Sequence, residues 1–473
     1  MNIQRVLLFI ALTCYLSVFN VYPQAGQTDI SGSWLGSIDA GGITLRIVFN
    51  LELQDGNMYM ATMDSPDQGA KGIPLGDVIL TADTIVIKAP NLAGEYAGVI
   101  DKEDEVSGTW TQGGRKFNLD LKKSRGELAI NRPQEPKPPF PYSSMDMEFR
   151  NPVAKINLAG TVTYPSEKGR YPAVVLVSGS GPQDRNEELM GHKPFAVLAD
   201  FLTRNAIVVL RYDDRGVGKS GGSFEGSTSA DFADDASAAT DYLKTLDFVD
   251  PAKVGIIGHS EGGLIAFMLA ARIDDLAFII TLAGPGCSGR TIIEDQTEYI
   301  SRLNGVPEAT IKESQLINSL IYDIIEENEN ITRGVERVKD TVRYYYSQKG
   351  YKSEIVDQIV TNIGTSINPL SYRWLRYFYM ADPGDYFESV SCPVFALNGS
   401  KDCQVLADVN IEGISNGLAK SNSKKVDTRI YPDLNHLFQH CETGLLNEYS
   451  QIEETISPEV LNDIAGWISD LFR

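Results

Sequence analysis

The sequence predicts two architectures in succession: a small all-β barrel or sandwich, then an α/β domain built on a mostly parallel sheet flanked by helices and carrying a helical cap. Three observations carry this expectation. From about residue 30 to 124, apolar and polar residues alternate in short runs separated by Gly, Asp and Asn, the period-two pattern of half-buried strands. From about 145 onward the runs become continuously apolar, as in Ala173–Val177 and Val254–Ile257, which reads as parallel strands buried on both faces. Between the two, Pro133, Pro136, Pro138, Pro139 and Pro141 crowd a segment that favours an extended connection over a packed element.

At 473 residues the chain is too long for one ordinary domain. Its formal net charge of −21 repels polyphosphates and anionic lipid surfaces, so nucleic acid is excluded as a partner. Arg5 followed by the largely apolar Val6 to Val21 reads as an export signal cut near Ala25, which implies a periplasmic or secreted protein with no membrane span left after cleavage. The expected layout is therefore a signal peptide over 1–25, an all-β accessory domain over 26–124, a Pro-rich linker over 125–144 and the α/β domain over 145–473. The accessory domain contains neither His nor Cys, and its role is expected to be either carbohydrate contact or purely structural.

Within the first domain the expected strands are 33–37, 43–51, 58–63, 78–80, 84–87, 96–100, 105–110 and 116–121. In the second, apolar runs end at Ser178, Arg211, Ser260, Ala283, Asn398 and Tyr431, and the loops at their carboxyl ends are where a site belongs. Between Gly284 and Pro393 about a hundred residues show helical stretches without a strand, too long for a connection. They predict a cap at about 288–388. Its aromatic residues, among them Tyr344, Tyr372, Trp374, Tyr377 and Tyr379, mostly form the cap's own core, with a minority facing a substrate.

The chemistry centres on Gly258-His259-Ser260-Glu261-Gly262, where an apolar run enters a Gly-x-Ser-x-Gly turn and a small-residue helix leaves it. Glycine at both flanks allows a turn so tight that Ser260 is presented at the sheet edge as a nucleophile. A second match, Gly218-Lys219-Ser220-Gly221-Gly222, lacks both the strand and the helix. It also fails as a phosphate loop, because Asp213 stands where that loop needs glycine. A serine hydroxyl needs a base, and the chain has four histidines. His259 is aimed away from Ser260 by its place in the turn, His192 is expected to line the cleft, and His440 lies in a polar, solvated stretch. His436, between the last apolar run and the final helix, is the expected base. Asp402, in the loop after Val394–Leu397, is the expected acid, with Asp408 and Asp433 as alternatives.

The order Ser260, Asp402, His436 matches that of α/β-hydrolase sheets. Together with the loop Ser178-Gly179-Ser180-Gly181-Pro182-Gln183-Asp184-Arg185-Asn186 and the segment Asp213–Ser220, it resembles the α/β-hydrolase superfamily, and within it the bacterial EstD-type carboxylesterases, neighbours of the serine aminopeptidase-like hydrolases. The likeness covers roughly 145–473. It implies the α/β-hydrolase fold and an oxyanion hole made by the backbone N–H of Ser180 and of Glu261. Relatives carry His-Gly where this chain has Ser178-Gly179, so the first donor is placed to within one position. Gly181, His192, Trp374 and Tyr377 are the expected pocket residues. The expected function is acyl-ester hydrolysis through a covalent acyl-enzyme, on a small-molecule ester, without cofactor or metal. The alternative is a peptidase or thioesterase of the same superfamily, a peptidase holding a substrate amine on cap acids such as Glu308, Glu313, Asp323, Glu326 and Glu327. If Asp402 and His436 meet, Cys403 and Cys441 come near each other, and a disulfide between them is expected in an exported protein.

Overall fold

The computed structural model describes residues 29–473 except 40–43, 55–57, 67–69, 82, 103, 125–130 and 368. The expected export signal lies outside the described residues. The chain divides into two compact units, the first running through Asn131 and taking in Leu189–Gly191 and Tyr449–Glu453, the second holding the remainder.

The first unit is built on one ten-stranded sheet in which every pairing is antiparallel. Its strands are β1 (Gly32–Asp39), β2 (Thr44–Gln54), β3 (Met58–Ser65), β4 (Ala70–Pro74) and β5 (Val78–Leu80). The series continues with β6 (Thr84–Ala89), β7 (Gly94–Lys102), β8 (Glu105–Gln112), β9 (Arg115–Asn118) and β10 (Leu121–Ser124). Alternate residues on these strands, Trp34, Phe49, Met63, Ile87, Tyr96 and Trp110 among them, gather into a single core. The sheet has more strands than the eight runs expected from sequence. Ala70–Pro74 had no apolar run to announce it, and the run at 116–121 is broken where Leu119 turns its N–H to the Gly108 carbonyl.

The second unit holds an eight-stranded mixed sheet. A long antiparallel hairpin, β11 (Tyr142–Asn151) and β12 (Ile156–Pro165), forms one edge. Next in space come β14 (Val208–Tyr212), β13 (Tyr171–Val177), β15 (Val249–His259), β16 (Ile279–Leu282), β17 (Val394–Gly399) and β18 (Val426–Tyr431), all parallel. The continuous apolar runs are explained by two cores. Val175, Val177, Ile256 and Ala396 pack towards α2 (Ser229–Lys244), α3 (Glu261–Ala270) and α10 (Ala407–Leu418). Val174, Leu176, Ile257 and Leu397 pack on the other face, towards α1 (Pro194–Arg204) and α12 (Pro458–Leu471). Strand order reverses at β13, whose successor β14 lies on one side and β15 on the other, so the loops leaving β13 and β15 flank the crevice where ligands enter such sheets.

The cap leaves after β16 and returns before β17. It comprises α4 (Gly289–Leu303), α5 (Glu308–Glu327), α6 (Ile331–Gln348), α7 (Ser353–Ser366), α8 (Pro369–Met380) and the short α9 (Gly384–Phe387). Tyr322, Tyr372, Phe378 and Tyr379 join Ile321, Ile325 and Val342 in a core of its own. The remaining short helix, α11, spans Leu446–Tyr449. Among the described residues no helix is long and apolar enough to cross a membrane.

Candidate active site

The turn at Ser260 is compact because nothing larger than hydrogen fits its flanks. A β-carbon on Gly258 would lie 2.0 Å from the Gly262 carbonyl oxygen, and one on Gly262 would lie 2.2 Å from that of Val177. Ser260 itself caps the N-terminus of α3 with φ +53° and ψ −120°. That conformation costs a non-glycine residue roughly 1–3 kcal/mol and persists only where the surroundings impose it. Here the Ser260 N–H donates to Leu282 O (2.8 Å) and Gly263 N–H donates to Ser260 O (2.8 Å).

Asp402 and His436 come together although 34 residues separate them: Nδ1 of the imidazole lies 2.7 Å from Oδ2 of the carboxylate, and both side chains are buried. The other carboxylate oxygen, Oδ1, accepts the backbone N–H of Gln404 (2.8 Å) and Val405 (2.9 Å), so the group cannot swing away. The two loops touch at Gly399, where a β-carbon would fall 2.2 Å from Leu434 O. Ser400 N–H to Tyr431 O (2.8 Å), Lys401 N–H to Leu434 O (2.9 Å) and the Lys401–Asp433 ion pair (2.9 Å) continue the seam. Asp433, one of the alternative acids, is thus taken up by Lys401, and Asp408 lies in the first turn of α10.

The loop after β13 lies directly against the nucleophile turn, for a β-carbon on Gly179 would be 3.0 Å from Ser260 Cβ. The Gly179 N–H donates to Glu187 Oε1 (2.8 Å). The Ser180 and Glu261 N–H groups have no hydrogen-bond partner among the described residues. Gly181 adopts φ +105°, a conformation that favours glycine, as the loop turns. The loop is held from below by the segment that follows β14. Asp214 accepts from Ser178 Oγ (2.9 Å) and Gln183 N–H (2.9 Å), and Asp213 takes a two-pronged contact from Arg185 Nε and Nη2 (2.9 and 2.8 Å). Burial pushes the Asp214 carboxyl up to about 8 against those hydrogen bonds, with the Glu187 and Glu261 charges adding to the rise. Ser220 of the second Gly-x-Ser-x-Gly match donates to Asp213 O (2.6 Å) and accepts Ala159 N–H, a structural turn.

Glu261 does more than offer an N–H. Its buried carboxylate accepts from Ser180 Oγ (2.7 Å), Ser229 Oγ (2.5 Å) and the indole N–H of Trp374 on α8 (3.0 Å), tying the loop after β13, helix α2 and the cap to the residue beside Ser260. Burial raises its pKa, and the three donors oppose the rise. Tyr377 packs against the core on the α2 face.

Two expectations are corrected. His192 does not line a cleft: its ring is fully buried, with Nδ1 3.0 Å from Thr455 Oγ1 and Nε2 3.0 Å from the Gln439 side chain. Its nearness in sequence to the Ser180 loop misled, because helix α1 begins two residues later and draws it beneath the base loop. Cys403 and Cys441 are free thiols, as are Cys287 and Cys392. The acid and base loops do converge, but at Gly399, while Cys403 Sγ faces Gly444 O (3.0 Å) and Cys441 Sγ faces Asp433 O (3.5 Å). Sequence reasoning also missed Glu187 and the partners of His259, whose ring meets Glu187 Oε1 (2.9 Å) and His436 O (3.1 Å). No local pattern marks Glu187, which in sequence is one acid among Asp184, Glu187 and Glu188. Among the described residues no group of three or more His, Cys, Asp or Glu is placed to hold a metal ion.

Residues 192–439 match the family model described as serine aminopeptidase, S33. Over 392 residues, 79% of this chain and 82% of the relative, the sequence is 24% identical to esterase EstD of Thermotoga maritima. Among solved structures, an esterase of Pyrococcus furiosus aligns with TM-score 0.44 and 15% identity, over 74% of this chain and 100% of that one. Est1E of Butyrivibrio proteoclasticus, in a structure with ferulic acid bound, aligns with TM-score 0.40 and 17% identity, over 68% of this chain and 99% of that one.

Proposed function

The chain belongs to the serine aminopeptidase family, S33, of the α/β-hydrolase superfamily and is a serine hydrolase; from that premise we propose that it is a carboxylesterase acting on small acyl esters. Ser260 Oγ attacks the ester carbonyl carbon while Nε2 of His436 takes its proton. Asp402 on Nδ1 fixes the tautomer that leaves Nε2 free to accept, and stabilises the imidazolium that forms. The oxygen of the tetrahedral intermediate is received by the Ser180 and Glu261 N–H groups, each such donor being worth about 3 kcal/mol. Collapse expels the alcohol, which takes the proton from His436. Water, deprotonated by the same imidazole, then attacks the acyl-serine, releases the acid and returns the proton to Ser260.

The observation that favours an ester over a peptide is the state of the acids. An aminopeptidase must keep a carboxylate open for its substrate's ammonium group, yet each of the five cap acids named from the sequence faces a cation. Glu308 pairs with Arg302 (3.1 Å), Glu313 with Lys349 (3.5 Å), Asp323 and Glu326 with Arg290 (2.7 and 3.2 Å), and Glu327 with Arg337 (3.5 Å). Glu261, nearest the nucleophile, already accepts three donors. The name of the Thermotoga maritima relative agrees with this reading. Paired assays on p-nitrophenyl acetate and aminoacyl p-nitroanilides test it: turnover of the ester is expected to exceed that of the anilides and to vanish in Ser260→Ala. Faster anilide cleavage would make the protein a peptidase, and ester turnover surviving in Ser260→Ala would remove the nucleophile.

A further inference from the structure

We propose that Glu187 and His259 are positioning residues that share a proton and thereby lock the oxyanion loop to the loop carrying the base. This rests on the reading of Ser260 and His436 given above. His259 ends β15, and its imidazole is buried with both nitrogens facing acceptors. Nε2 lies 3.1 Å from the backbone carbonyl oxygen of His436, which can only accept, so Nε2 carries hydrogen. Nδ1 lies 2.9 Å from Oε1 of Glu187. A bare imidazole nitrogen cannot face an ionised carboxylate oxygen, lone pair to lone pair, so a proton sits between them.

That same Oε1 accepts the N–H of Gly179, which leaves the proton best placed on the ring: an imidazolium with a carboxylate, neutral as a pair. Apolar side chains surround it, including Phe195, Leu198, Leu282, Leu437 and Phe438, and strengthen the attraction. The other charged or titratable groups nearby are His436, its ring centroid 4.7 Å from that of His259, Asp402 behind it, and Asp214 on the far side of Glu187. Burial alone would lower the basicity of His259; the charge and hydrogen bond of Glu187 outweigh it and hold the ring above its ordinary value.

The mechanical result is one rigid link. It runs from the Gly179 amide, beside Ser260 Cβ, through Glu187 and His259 to the carbonyl of His436. The donor loop and the base therefore cannot drift independently, and a misplacement of about 1 Å costs on the order of 10²-fold in rate. Glu187→Gln keeps the shape and can still accept from Gly179, but it cannot balance a charged ring. His259 then gives up a proton and one of its two hydrogen bonds, and one end of the link is released.

Two measurements test the pair. In Glu187→Gln, kcat on p-nitrophenyl acetate is expected to fall about 10²-fold with KM within about twofold, because alignment and not binding is lost. An unchanged kcat, or a loss carried entirely by KM, would overturn the proposal. Independently of turnover, nitrogen-15 NMR of histidine-labelled wild-type protein is expected to show hydrogen on both ring nitrogens of His259 at a pH of about 8, above the ordinary imidazole range. A single ring hydrogen on His259 there would overturn it even if the variant failed to fold. The NMR result does not depend on ester turnover, so failure of the esterase reading and failure of the shared proton are distinguishable.

Discussion

Asp402→Asn isolates the orienting role of the acid with almost no change of shape, and the structure dictates which way the amide must face. Oδ1 of Asp402 accepts two backbone N–H groups, from Gln404 and Val405. An amide nitrogen placed there would put donors against donors. The carbonyl oxygen of the asparagine therefore keeps that position, and its NH2 replaces Oδ2, 2.7 Å from Nδ1 of His436. Facing a donor, Nδ1 must become the acceptor, so the ring hydrogen moves to Nε2, the nitrogen that would take the proton from Ser260. The base is then occupied before the reaction starts. The expected loss is about 10⁴-fold in kcat, with KM little changed, since the wrong tautomer and not a missing contact is responsible. Steady-state kinetics on p-nitrophenyl acetate measures this, and thermal unfolding of the same variant controls for structure. A loss below about tenfold in a folded variant would refute the assignment of Asp402, because the backbone donors leave the amide no other orientation.

Glycine substitutions at two positions should act in opposite directions. Gly262→Ala puts a β-carbon into the Val177 carbonyl and is expected to yield no folded, soluble protein, whereas Gly466→Ala, in mid-helix α12 with open space around it, should raise stability by about 0.5–1 kcal/mol in denaturant unfolding. A folded Gly262→Ala protein would contradict the turn described at Ser260. For Asp214, a folded pKa of about 8 lies above the unfolded value of about 3.9, so its stabilising contribution is complete below pH 4 and drains away up to pH 8. Asp214→Asn should therefore gain on the parent by up to about 1.4 kcal/mol for each pH unit between 5 and 8, measured as unfolding free energy, and a pH-independent difference would show that the carboxyl is ionised throughout.

The parts of the fold most legible in sequence were those whose surroundings repeat along the chain. The inner strand runs Ala173–Val177, Val254–Ile257 and Val394–Leu397 are continuously apolar because helices cover both faces, and the run before Ser260 needed no partner to be recognised. The hairpin of β11 and β12 escaped notice because the edge strand β11 buries only Tyr142, Phe149 and Asn151, scattered among Ser, Asp, Glu and Arg, while the buried stretch of β12 mixes Gly160, Thr161 and Thr163 with Leu158, Ala159 and Val162. Helix α7 also went unread, although Val356 and Val360 in the cap core and Ile359 and Ile363 packed against it recur at helical spacing. At the site, sequence order placed Ser260, Asp402 and His436 on the loops after β15, β17 and β18, which is local information. The roles of Glu187, His192 and the Glu261 side chain depend on which loops meet, a property of the folded sheet. The cysteines show the same limit. Loops brought near each other fix a neighbourhood, not the pairing of two particular atoms within it.

The cap enters and leaves between strands that are already neighbours. Leu282, the last residue of β16, pairs with Leu397 of β17, so the roughly hundred residues between them close a gap no wider than one strand spacing. An insertion with that geometry behaves as an interchangeable part. Helices within it can lengthen, shorten or be replaced without shifting any register in the sheet, and therefore without moving the loop ends that carry Ser260, Asp402 and His436. The indole of Trp374 resting on Glu261 is a direct side-chain link from this part to the residue beside the nucleophile. The cap can thus change in sequence and length while the sheet and its loop ends stay as they are.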